Sequence, residues 1–259
     1  MKHPDYSIIT EVPGLKATQE QLQRLYHRYH FAKKYCINKR VLEVACGSGI
    51  GLSYLADSAS EVSGGDIDES NLLILNSRFK NHPKIKTLKM DAHYLNFPGD
   101  YFDAVILFEA IYYLTHPEQF IAEAHRVLKP GGVLIICSVN INWKDFHPSP
   151  FVQKYYSADV LASMLRVRFP EVSIYGAFRT EEGIKSFIFS IIKRIAVHLH
   201  LIPRSLKLRA FLKNIFIGKT IPMPADLNEG IFDFADPHPL NPEEENSRYK
   251  IIYWTAVKH

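Results

Sequence analysis

The chain has little sulfur to work with. Cys36, Cys46 and Cys137 are its three cysteines in 259 residues, an odd number with neither paired nor metal-like spacing. That excludes a disulfide scaffold and a zinc ribbon, and it suits free thiols in a reducing compartment. No uninterrupted apolar run is long enough to cross a bilayer, because Lys185, Lys193 and Arg194 break the one stretch that approaches it. The opening residues Met1 to Asp5 lack the apolar core of a signal peptide. Repeats and low-complexity tracts are also missing. Acid is absent from one place: 183–225 holds no Asp or Glu and eight basic residues, while the rest has 23 basic residues against 27 acidic ones. The net charge of +4 therefore comes from this segment alone. What remains, 47% hydrophobic and 22% charged, is ordinary globular composition with length for one core and an insertion. A cytoplasmic protein is expected.

The most informative stretch is Val41-Leu-Glu-Val-Ala-Cys-Gly-Ser-Gly-Ile-Gly51. An apolar run with an acid in it meets a glycine-rich turn, and the residues from Leu52 read as a helix start. In such a strand–loop–helix unit a ligand can lie against bare backbone. A dinucleotide fingerprint needs glycine at 52, where Leu52 stands, so the usual NAD pattern is excluded. A second short strand ends at Asp66, about 20 residues after the loop, where a carboxylate can accept both hydroxyls of a ribose. Asp68 is the runner-up, read as a first-turn acid of the next helix. A third strand is followed by Asp91 and Ala92. The carboxylate can accept an adenine amine while a backbone N–H meets a ring nitrogen; alone, Asp91 would pass for a turn residue.

The remaining pattern alternates strand and helix. Strands are predicted near 40–46, 60–66, 85–90, 102–108, 132–139, 171–178 and 248–257, and helices near 19–35, 50–58, 69–79, 117–128 and 157–168. Thr18 is a plausible N-cap for the first helix. Such alternation demands a parallel sheet covered on both faces. Residues 1–36 read as a helical cap, 37–180 as the core, 181–246 as an insertion and 247–259 as the final strand. Within the insertion, 184–201 is helical by period and 205–216 reads as a second helix. Three readings of this basic lid stay open: a helix pair closing the pocket, a recogniser of an anionic acceptor, or a peripheral contact, through 184–217, with an anionic inner membrane face carrying a lipid-linked acceptor.

Three acidic strand ends around one glycine loop, with Phe102-Asp103-Ala-Val-Ile-Leu-Phe108 and Glu123-Ala-His-Arg-Val-Leu-Lys-Pro-Gly-Gly132 downstream, resemble the class I S-adenosylmethionine-dependent methyltransferases, in the branch that methylates small molecules. The resemblance covers about 38–140. It implies a Rossmann-like α/β fold with a seven-stranded, mostly parallel sheet. The last strand would run antiparallel between the fifth and sixth, with helices on both faces and a helical lid. It implies S-adenosylmethionine as cofactor, held by Glu43, Ala45, Cys46, Gly47, Gly49, Asp66, Ile67, Asp91, Ala92 and Phe108, with Arg28 reaching in from the cap. The family usually has glycine where Ala45 stands, so an extra methyl narrows the space beside the methionine end.

Methyl transfer needs an acceptor lone pair aligned behind the activated carbon and water excluded. A hydroxyl acceptor also needs a base; an amine need only be bound uncharged. Glu109, Tyr112, Tyr113 and His116 follow strand four, and Asn140, Trp143, Asp145 and His147 follow strand five. His147 is the leading candidate base because its intrinsic pKa suits transfer near neutrality, with His116 second. Either could as well be a surface or capping histidine. Tyr112 and Tyr113 are candidates for lining the pocket. Asn140, Trp143, Asp145 and Tyr155 have the composition of a polar-ligand site, with aromatic faces that stack on sugar rings; the resemblance implies a hydroxyl of a saccharide or glycosylated natural product as the acceptor. N-methylation of a small amine, and a non-catalytic cofactor-binding partner protein, are the alternatives. Nucleic acid is disfavoured, because Phe108-Glu-Ala-Ile stands where amine-methylating DNA enzymes carry an Asn/Asp-Pro-Pro-aromatic run.

Overall fold

The computed structural model describes residues 11–180, 220–241 and 245–259. In chain order the elements are β1 (Lys16–Thr18), α1 (Gln19–Cys36), β2 (Arg40–Val44), α2 (Leu52–Ala56), β3 (Glu61–Asp66), α3 (Glu69–Phe79), β4 (Ile85–Lys89), β5 (Phe102–Phe108), α4 (Pro117–Val127), β6 (Leu128–Val139), α5 (Ala158–Arg166), β7 (Glu171–Arg179), β8 (Thr220–Pro222), β9 (His238–Leu240) and β10 (Tyr249–Val257). A single 3₁₀ turn, Ile111–Tyr113, follows β5.

The main sheet runs β4-β3-β2-β5-β6-β10-β7-β9. The strands from β4 to β6 pair parallel. β10 lies antiparallel between β6 and β7, as the resemblance implies. Ala104, Val105, Ile106 and Leu107 of β5 are fully buried, because helices cover both faces. One apolar layer joins the sheet to α1, α2 and α3 and includes Leu25, Tyr29, Leu52 and Leu75. The other joins it to α4 and α5 and includes Phe120, Ala124, Leu161 and Leu165. Trp254 of β10 is held in that layer by its indole N–H, which donates to the Ala158 carbonyl at 2.9 Å.

α1 starts where the sequence says it should. Thr18 Oγ1 accepts from Gln21 N at 3.1 Å, and Gln21 Oε1 accepts from Thr18 N at 2.8 Å, a reciprocal capping box. Asp68 caps α3 by accepting from the Ser70 and Asn71 N–H groups, so it stands just before the first turn rather than in it.

Three strands were not expected. β9 adds an eighth strand to the sheet, antiparallel to β7. β1 and β8 form a separate two-stranded ribbon. The described part of the insertion, 220–241 and 245–246, holds the short strands β8 and β9 and no helix. Residues 220–236 strap the outer side of the first helical layer. Asp226 binds Arg78 at 2.7 Å and accepts from Ser53 at 2.7 Å, while Glu229 meets Lys33 at 2.6 Å and the Tyr54 hydroxyl at 2.8 Å. The predicted helices at 184–201 and 205–216, and with them the membrane contact through 184–217, lie outside the described residues. Among the described residues no helix is long and apolar enough to cross a membrane.

Candidate active site

In a parallel sheet the carboxyl ends of neighbouring strands form one crevice, and here it is a cavity of about 620 Å³. The chain leaves β2 through Ala45, whose φ of 54° is left-handed. That conformation is costly for any residue with a Cβ, which is a physical reason for the family's glycine at this position. Cys46 N then donates to Gly65 O at 3.0 Å, and Gly47 N donates to Asp66 Oδ2 at 2.8 Å. Asp66 Oδ1 accepts from Asp68 N at 2.9 Å. The Asp66 carboxylate is thus fixed at the end of β3 with lone pairs left over. Burial nevertheless raises its pKa, against the lowering effect of these N–H groups.

Glu43 is the second fixed acid. Tyr29 of α1 donates its hydroxyl to Glu43 Oε1 at 2.5 Å, and Gly51 makes room for the Tyr29 ring: a Cβ there would lie 2.0 Å from it. Burial pushes the Glu43 carboxyl up to about 7. Its Oε2 is buried with no partner in the protein. An orphaned acceptor lining a cavity is where a ligand ammonium fits. Asp91, at the end of β4, accepts from His93 N at 2.9 Å and sits 2.7 Å from His93 Nδ1.

Glu43, Ala45, Cys46, Gly47, Asp66, Ile67, Asp91, Ala92, Phe108 and Arg28 all line the cavity. Gly49 does not; it is packed beneath the loop, where a Cβ would meet Leu75 at 2.5 Å. The Arg28 guanidinium pairs with Glu11, and the nearby carboxylates hold its charge in place despite burial. Cys46 and Cys137 are buried, and burial raises both thiols.

The acceptor residues divide. Tyr112 and Tyr113 line the cavity. Asn140, Trp143, Asp145 and Tyr155 are not among the lining residues. Asn140 is buried and donates to the carbonyls of Asn246 and Tyr249, each at 2.8 Å, tying the end of β6 to the start of β10. Trp143 packs its ring against Arg24 and Lys250. Tyr155 lies one layer out: its ring packs on Tyr112, and its hydroxyl accepts from Ser149 N. Asp145 is partly buried in the same loop. The two histidines are also outside the lining. His147 is exposed, and His116 stands at the N-cap of α4, exposed and 3.2 Å from Glu118. For His147 the reason is the route of the loop after β6: Gln153 N and Lys154 N donate to the Tyr112 carbonyl, so it is Gln153 that reaches the cavity.

Glu109 was visible as the first residue past β5 but carried no role. It lines the cavity at φ 49°, and its N–H donates to Cys137 O at 2.9 Å. Its Oε2 accepts from the Tyr112 hydroxyl at 3.0 Å. Glu11, Arg24, Tyr29 and Asn71 also line the cavity. Of these Tyr29 had a signal, its place beside Leu25 on the inner side of α1.

A family model described as a methyltransferase domain matches residues 42–136. That segment, with the sheet order and the strand-end acids around it, is a class I S-adenosylmethionine-dependent methyltransferase domain. The chain is 36% identical over 130 residues to phthiotriol/phenolphthiotriol dimycocerosates methyltransferase 1 of Mycobacterium ulcerans, covering 49% of this chain and 45% of that one. It is 32% identical over 118 residues to the demethylmenaquinone methyltransferase of Tropheryma whipplei, 46% of each chain. The chain thus spans about half the length of the curated relatives it matches. The YcgJ protein of Bacillus subtilis superposes with a TM-score of 0.58 at 18% identity, over 90% of this chain and 98% of that one, which shows the shared fold.

Proposed function

We propose that this protein transfers the methyl group of S-adenosylmethionine to a hydroxyl of a small-molecule acceptor. The observation that carries the reading is the convergence of three acidic strand ends, Glu43, Asp66 and Asp91, on one cavity. Glu43 Oε2 would take the methionine ammonium, Asp66 the ribose hydroxyls, and Asp91 with the Ala92 N–H the adenine edge. When bound, the cofactor supplies a methyl group that is already activated. Arg28 and Tyr29 hold the cap helix against the methionine end and exclude water from it. Phe108, Tyr112 and Tyr113 shape the space next to it.

The acceptor reading moves toward an apolar molecule. The polar set that favoured a saccharide, Asn140, Trp143, Asp145 and Tyr155, lies off the cavity lining, whereas Leu25, Ala110, Leu114 and Val139 are on it. The names of the relatives, which methylate a lipid and a quinone precursor, fit the same direction. Titration calorimetry with S-adenosylhomocysteine tests the cofactor assignment. Native protein should bind it, and Asp66→Asn should weaken it at least tenfold, since a charge-assisted hydrogen bond contributes about 1.5–3 kcal/mol. Absence of binding by the native chain would remove the proposal.

A further inference from the structure

The described cavity is lopsided in charge. Five carboxylates line it: Glu11, Glu43, Asp66, Asp91 and Glu109. No lysine does, and its two arginines already face acids, Arg24 with Glu20 at 2.7 Å and Arg28 with Glu11. Three of the acids are accounted for by the cofactor reading, and Glu11 neutralises Arg28. Glu109 is left over. It stands at the strand end next to that of Glu43, because β5 pairs with β2. Around it the lining is apolar and aromatic: Phe108, Ala110, Tyr112, Tyr113 and Val139.

Its placement is deliberate in structural terms. A non-glycine residue in the left-handed region costs on the order of 1–2 kcal/mol, and such strain persists where surrounding contacts over-determine it. Here the Cys137 carbonyl holds the Glu109 N–H, and the Tyr112 hydroxyl holds one carboxylate oxygen. The other oxygen has only the Cys137 Sγ, at 3.8 Å. It therefore keeps acceptor capacity toward the cavity.

We infer that Glu109 takes the proton from the hydroxyl of an uncharged acceptor with an apolar body, and that this subsite rejects anionic acceptors. The inference rests on the methyltransferase reading and deepens it. In the step, the acceptor O–H bond breaks and its proton passes to the free Glu109 oxygen. The acceptor oxygen bonds to the methyl carbon, whose bond to sulfur breaks, and that electron pair stays on sulfur. Glu109 later returns the proton to solvent. The charged and titratable groups facing it are Arg24 and Arg28 from α1, Glu11 from the segment before β1, Tyr112 from the 3₁₀ turn, Cys137 from β6 and Tyr253 from β10. Burial raises the Glu109 carboxyl, which makes it a better base, and the two arginines oppose that rise and keep the charged form accessible.

The test uses a matched pair of fluorescent probes, 2-naphthol and 6-hydroxy-2-naphthoate, titrated onto the native chain saturated with S-adenosylhomocysteine. Native protein should bind the neutral probe at least tenfold more tightly. Glu109→Gln should shrink that preference at least threefold, by relieving repulsion of the carboxylate probe, while leaving S-adenosylhomocysteine affinity within twofold. With labelled S-adenosylmethionine, methylation of 2-naphthol should fall at least a hundredfold in Glu109→Gln with little change in KM. The acid limb of the native pH–rate profile should disappear with it. Equal affinity for the two probes, an unchanged preference in Glu109→Gln, or 2-naphthol turnover kept within threefold in that variant, would each overturn the inference. Failure to bind S-adenosylhomocysteine at all would instead overturn the cofactor reading beneath it.

Discussion

Cofactor affinity should depend on pH through Glu43, and the size of the effect can be worked from its surroundings. In the free protein burial holds this carboxyl at about 7, against an ordinary value of 4.5, so below neutrality it is mainly protonated. A ligand ammonium placed against Oε2 needs the charged form. Binding must then expel a proton, and affinity must fall as pH falls. If the ion pair returns Glu43 to its ordinary value, affinity for S-adenosylhomocysteine should weaken about sixtyfold between pH 7.5 and pH 5, equivalent to about 2.4 kcal/mol. About 0.9 proton per ligand should be released at pH 6. Calorimetry in buffers of differing ionisation enthalpy measures both quantities.

Glu43→Gln separates this from any general acid sensitivity. The amide keeps an oxygen for the Tyr29 hydroxyl but cannot titrate. Its affinity at pH 7.5 should sit near the value native protein shows at pH 5, and its pH dependence should be nearly flat. Any slope that remains belongs to other groups, Asp66 foremost, since burial raises that carboxyl too. The stability of the free protein runs the opposite way. A carboxyl whose folded pKa is raised stabilises fully below its unfolded value and loses that contribution as pH rises through about 7, so the melting temperature of the native chain should decline over that window relative to Glu43→Gln. Affinity that is level from pH 5 to pH 7.5, with Glu43→Gln indistinguishable from native, would refute the assignment of Glu43 to the ammonium.

Other substitutions probe the loop and the outlying histidines. Ala45→Gly relieves a left-handed alanine at φ 54° and should leave stability unchanged or raise it by up to about 1 kcal/mol in denaturant titration. Gly51→Ala drives a methyl into the Tyr29 ring and should destabilise by about 1–3 kcal/mol in the same assay, weakening S-adenosylhomocysteine as Tyr29 shifts off Glu43. His147→Ala and His116→Ala, both exposed and off the cavity lining, should each keep methyl transfer within threefold of native; a hundredfold loss in either would return that histidine to the role of base.

The cofactor end of the site was legible because its residues close elements that are themselves legible. β2 and β3 are buried along nearly their whole length, and an acid at the carboxyl end of such a parallel strand faces the crevice. The acceptor end was not legible by the same route. Asn140 has the composition of a ligand-binding residue, yet its amide is spent on the carbonyls of Asn246 and Tyr249, partners more than a hundred positions away. The inward turn of Gln153 depends on a bond to the Tyr112 carbonyl, which no side-chain pattern announces. β8 and β9 are three residues each and carry Pro222 and Pro239. They pair through backbone alone, beneath the length at which an alternating pattern can be read.

Ala45 and Glu109 tie the two ends together. Each is the residue just past its strand, β2 and β5 are adjacent and parallel, and each is a non-glycine with positive φ. In both places the sheet's own hydrogen bonding continues past the turn. Cys46 N reaches Gly65 O beside β2, and Glu109 N reaches Cys137 O beside β5. A strained turn anchored this way cannot relax without breaking a ladder bond. The carboxylates of Glu43 and Glu109 are consequently held at a fixed spacing by the sheet itself. A reaction that requires an acceptor oxygen aligned with a carbon on the neighbouring ligand depends on that rigidity.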